Sequence, residues 1–168
     1  MILLALNELN LDYIKGYISD GKLKNFKELL RNGIVNTTSE KKYELLEPWI
    51  QWTTVQTGKS YDEHKVFRLG DIVDRPDLNQ IFEVLEKKGL SVAAISPFNA
   101  DNRLKYSKFF IPDPWTQTNA SGGYILKKLS ISLSKIVNNN ASQKIGISNI
   151  FWLLIAVFKY VRIKRWSK

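Results

Sequence analysis

The chain has 168 residues, 44% of them hydrophobic and 12% aromatic, which is enough apolar material for a packed core and excludes disorder throughout. No cysteine and a single histidine exclude disulfides, thiolate catalysis and thiolate metal sites, and leave any metal to oxygen ligands or to ligands from another sequence. The formal charge of +9 is uneven: residues 1–113 carry all 16 acidic and 16 of the 25 basic side chains, whereas residues 114–168 carry nine basic side chains and no acidic one.

Ile2 to Leu6 is a continuous apolar run bounded by polar residues, the pattern of a parallel strand buried on both faces. Ligands of open α/β sheets bind beyond the carboxyl ends of strands, which is where Asn7, Glu8 and Asn10 fall. Asn10 reads equally as the N-cap of a helix from Leu11. No basic segment precedes the run, which is also short for a secretory leader, so the expected compartment is cytoplasmic.

Glu47 to His64, EPWIQWTTVQTGKSYDEH, places a Trp-Thr-Thr helix before Thr57-Gly58 and the lone histidine six residues later. Asp77 to Lys88 predicts a helix with Asp77 as N-cap, an apolar stripe at 78, 81, 82 and 85, and Gly89 as terminator. Ser91 to Ile95 reads as a short buried strand, with Asn99 in the polar loop at its carboxyl end. That loop is either a ligand rim or a turn that uses Pro, Asn and Asp for its geometry. Phe109 to Trp115 reads as an edge strand ended by prolines.

In the order MILLALNELN, GKLKNFKELLRNG, the 47–64 segment and LEKKGLSVAA, these pieces resemble the alkaline phosphatase superfamily, especially its phosphodiesterase and nucleotide pyrophosphatase branch. The resemblance covers about the first 115 residues. It implies a metal-dependent phosphoester or phosphodiester hydrolase, with a divalent cation such as Zn, Mn or Mg. By resemblance Asn7 stands at the first metal-ligand position, with Glu8 able to supply the charge. The nucleophile position falls on Pro48, which has no nucleophilic atom, and Glu47, Thr53 and Thr54 stand near it as the catalytic candidates. His64 matches a His-Gly position although Lys65 replaces the Gly, and Asn99 would lie at the substrate rim. The further Asp and His ligands of two-metal phosphoryl transfer lie downstream in the family. The expectation is therefore an opening portion that is inactive alone and is completed by a downstream polypeptide, or a non-catalytic relative.

The charge shift and Asn119-Ala120-Ser121-Gly122-Gly123 place a boundary near residue 120, giving segments 1–118 and 119–168. Tyr124 to Val137 has helical apolar spacing, and Ile145 to Val161 is strongly apolar before a basic end. The latter run has 17 residues, including Lys159, against the about 20 needed to span a bilayer. Three readings stay open for the tail: helices that bury against further sequence, a membrane-surface anchor over 145–168, and nucleic-acid binding. The last is the weakest, because large aliphatics interleave the basic residues and no recognition motif accompanies them. The expected fold is α/β, a mainly parallel sheet started by residues 2–6 and 91–95, flanked by helices, with a helical basic C-terminal part.

Overall fold

The computed structural model describes residues 2–6, 9–34, 40–138 and 146–161. They form a mixed α/β structure, mostly helical, with seven helices and one two-stranded parallel sheet. The chain divides into two compact units, Met1–Ser39 and Glu40–Lys168.

In the first unit, residues 2–6 form no strand, which corrects the expected opening of the sheet. A strand exists only where a neighbour pairs its N–H and C=O groups. The described strand pairing joins other segments, and Ile2 is 95% exposed. Helix α1 spans Leu11–Ser19 and is capped by Asn10, whose Oδ1 accepts the amides of Asp12 at 3.0 Å and Tyr13 at 3.1 Å. Helix α2 spans Lys24–Arg31 and follows Leu23 in a left-handed conformation. Asn7 and Glu8 lie outside the described residues.

The second unit opens with a 3₁₀ turn, Tyr43–Leu45, and helix α3, Pro48–Thr57. Proline suits the first helical turn, where an amide would have no partner. Gly58 stops α3 at φ +68, a conformation costly for residues with a Cβ. Helix α4, Tyr61–His64, is one turn held by reciprocal bonds between Ser60 and Glu63. Val66, Ile72 and Leu78 form a fully buried core cluster, with Val73 packed against it.

Helix α5 spans Ile81–Lys87 and starts three residues later than the sequence pattern suggests. Its N-cap is Gln80, bonded reciprocally with Glu83. Asp77 instead pairs with the Arg75 guanidinium at 2.7 and 2.9 Å, so its carboxylate is not available as a cap. Gln80 is fully buried and pairs through both ends of its amide with Asp101, donating to its carbonyl at 2.9 Å and accepting its N–H at 3.0 Å.

Strands β1, Ala93–Ile95, and β2, Phe109–Ile111, run parallel with Ala93 opposite Phe109 and Ile95 opposite Ile111. The expected burial of β1 is only partial, since Ile95 is 71% exposed. On its other side β2 makes a single antiparallel bridge, Phe110 to Ser121, with bonds of 3.0 and 2.9 Å. Arg103 ties the loops together by donating to the Leu78 carbonyl at 2.8 Å, the Ile72 carbonyl at 2.7 Å and the Asp101 carboxylate at 2.6 Å.

Helix α6, Tyr124–Asn138, packs along helix α7, Ile147–Tyr160. The Tyr124 and Trp152 rings meet edge to face at 5.5 Å, and the Lys128 ammonium lies 5.4 and 5.9 Å from their centres. Among the described residues no helix is long and apolar enough to cross a membrane.

Candidate functional site

Helix α3 carries Thr53, Thr54 and Thr57, and each hydroxyl donates to a carbonyl four residues earlier, at 2.8, 3.4 and 2.7 Å. Such bonds occupy the hydroxyl proton that a nucleophile must surrender. Glu47 is the exposed N-cap residue of the same helix and makes no side-chain cap bond.

His64 is completely buried beneath α3. Its Nδ1 accepts the Val66 amide at 3.0 Å, so the ring proton sits on Nε2 and points to Thr54 Oγ1 at 3.1 Å. Imidazole in this tautomer is a donor toward Thr54 and cannot remove its proton. Burial pushes the His64 pKa below its ordinary value, opposed by the charge of Glu40 and aided by Arg75. Arg75 also donates to the His64 carbonyl. Both ring nitrogens are therefore committed, Nε2 to α3 through Thr54 and Nδ1 to the segment just after α4 through Val66.

Asn99 is equally committed. It adopts a left-handed backbone at φ +49 and is fully buried. Its Nδ2 donates to the Trp49 carbonyl at 2.9 Å and Thr53 Oγ1 at 3.2 Å, its Oδ1 accepts the Gly70 amide at 2.8 Å, and its own amide donates to Asp113 at 2.9 Å. The side chain thereby joins α3, the turn before Asp71–Asp74 and the loop after β1.

Asp113 carries the centre of this network and has no warning in the sequence beyond its place between Pro112 and Pro114. Its buried carboxylate accepts from the amides of Asn99, Trp115 and Thr116 at 2.9 Å each and from the Thr116 hydroxyl at 2.7 Å. Three amides and a hydroxyl can hold a buried carboxylate without a cation. The Asp71 carboxylate accepts the Arg68 backbone amide at 2.9 Å. Gln56, also buried, donates to the Phe98 carbonyl at 2.7 Å and leaves its Oε1 without a protein partner.

The structure thus brings together Thr53 with Asn99 and Thr54 with His64, and sets Glu47 apart at the helix end. Among the described residues no three histidine or acidic side chains converge as a metal site. The described residues do not by themselves fit a divalent cation. Comparison with family models, curated proteins and solved structures gives no match. What fold and site define together is a mixed α/β unit with a buried polar network under α3.

Proposed function

We propose that residues 1–118 correspond to the opening part of an alkaline phosphatase-like, metal-dependent phosphoester or phosphodiester hydrolase, inactive by itself. The observation that carries the reading is the delivery of α3 by Pro48, its stop at Gly58, and the return of His64 to Thr54 within one compact turn of chain. This is the order of parts that the sequence resemblance implies. In this reading Glu47 stands at the nucleophile end of α3, and Thr53, Thr54, His64 and Asn99 form the rigid shelf beneath it. A divalent cation would take Asn7 and Glu8 together with ligands from a downstream polypeptide, where it would polarise a phosphoryl oxygen.

A second reading is a non-catalytic relative that acts through binding by residues 120–168. It is favoured by the hydrogen-bond capacity of Thr53, Asn99 and His64, all of it spent inside the protein. Calorimetric titration with Mn²⁺, Zn²⁺ and Mg²⁺, with hydrolysis of bis(p-nitrophenyl) phosphate followed in parallel, separates the two. The hydrolase reading expects metal binding that Glu8→Ala abolishes. Turnover is not expected of this chain alone, so metal binding decides: a wild type that binds none of the three cations overturns the hydrolase reading in favour of the second.

A further inference from the structure

We propose that α7 is an interfacial anchor that lays its outer face on an anionic lipid surface. The inference names a partner for the segment used in the second reading, and it stands whether or not the α/β part hydrolyses anything.

Two faces of α7 have different environments. Asn149, Trp152, Leu153 and Ala156, spaced by three and four residues, are buried or half-buried on the side that packs with α6. Ile147, Phe151, Leu154 and Phe158 follow a spacing of four, three and four on the opposite side, and all are exposed, Ile147 to 86% and Phe158 to 77%. At about 100° per residue these four fall within one narrow stripe directly away from α6. Large aliphatic and aromatic side chains gathered in this way need a cover.

Charge selects the cover. Residues 114–168 hold nine basic side chains and no acidic one, so a second copy of this face would bring like charge to like charge. A bilayer containing phosphatidylserine meets the apolar stripe with acyl chains and offers anionic headgroups to the net positive charge of this segment. Length fixes the orientation. The 14 residues of α7 extend about 21 Å, short of a hydrocarbon core of about 30 Å, so the helix lies in the surface plane.

The test is co-sedimentation of the full chain with phosphatidylcholine vesicles, with and without phosphatidylserine. Binding to the anionic vesicles alone, weakened at least about tenfold by Leu154→Glu with Phe158→Glu, is the expected result. Among the described residues neither side chain makes an aromatic or polar contact, and an unchanged far-UV spectrum and denaturation midpoint establish that the double variant is folded. A folded variant that still binds, or a wild type that ignores both vesicles, overturns the proposal. A wild type that self-associates through this face, and becomes monomeric in the variant, also overturns it by making a second copy the occupant. Vesicle binding fails or succeeds independently of metal binding and turnover, so the outcome does not depend on the hydrolase reading.

Discussion

One imidazole joins two helices of the second unit: His64 takes the Val66 amide on Nδ1 at 3.0 Å and offers Nε2–H to Thr54 Oγ1 at 3.1 Å. Protonation would put a second hydrogen on Nδ1, against the Val66 amide. The bond pattern and the burial thus act in the same direction on the ring.

Stability is therefore expected to depend on pH through this residue. Its folded pKa lies below the ordinary 6.5, so the unfolded chain binds a proton that the folded chain refuses. The contribution is complete above about pH 6.5 and is lost as pH falls through the folded pKa. Urea unfolding at about pH 7.5 and about pH 5.5 should show a lower midpoint in the acid, and His64→Gln should flatten the difference. Equal midpoints in the wild type would contradict the assigned tautomer.

A separate decline is expected in stronger acid. The Arg75 guanidinium beside Asp77 lowers its carboxyl from 3.8 to about 2, and Glu63 is lowered by its bonds from Ser60. Stability from these carboxylates is present above their unfolded values and is lost as pH falls toward the folded ones. Asp77→Asn should shrink the acid decline without changing the step near His64, as read from thermal melts across the range.

Asn99→Ala should cost about 3 kcal/mol or more, because it strands the Gly70 amide, takes one of its donors from the Trp49 carbonyl and forces alanine into the left-handed region. Asn99→Gly loses the same bonds without the backbone strain and should be the milder of the two by about 1 kcal/mol. Denaturant melts of the pair check the order, and a reversed order would remove the conformational part of the argument.

At Gly122 the constraint is space as well as backbone. A Cβ there would sit 2.9 Å from the Phe109 Cβ, at φ +116. Gly122→Ala should destabilise by about 2 kcal/mol or more, against a small effect for Ala at Gly123, where nothing lies within 4 Å. Chemical denaturation of the two variants gives the comparison.

Thr54→Val tests the role of the hydroxyl. It removes the acceptor of His64 Nε2–H and should cost about 1 to 2 kcal/mol. Glu47→Gln at the exposed end of α3 should leave stability within about 0.5 kcal/mol. If the two polypeptides of the proposed hydrolase are combined, only Glu47→Gln should change turnover in proportion to catalysis, while Thr54→Val should act through the melting temperature.

Much of the secondary structure was legible because local chemistry decides it. Asn10, Pro48, Gly58 and Gly89 mark helix ends whatever else the chain does, and the apolar spacing of residues 124–137 has helical period over several turns. The run at 2–6 misled because its composition is that of a strand, whereas strand formation is decided by a neighbour that no local pattern reports. Asp77 misled for a related reason: an arginine two residues away outbids the helix amides for its carboxylate. The buried network was half visible. Thr53, Thr54, His64 and Asn99 were marked by type and position, but Asp113 and Gln80 are recruited across 14 and 21 residues of sequence, and such partners leave no periodic trace.

Arg103 carries a consequence for the motions of the second unit. Its guanidinium holds carbonyls at Ile72 and Leu78 and a carboxylate at Asp101, so the chain between the end of the core cluster and the loop after β1 is closed at one point. Segments fastened through a shared clasp open together or not at all. The amides of residues 72–103 should then exchange with deuterium as a single cooperative block, and cutting the clasp with Arg103→Met should let them exchange piecemeal.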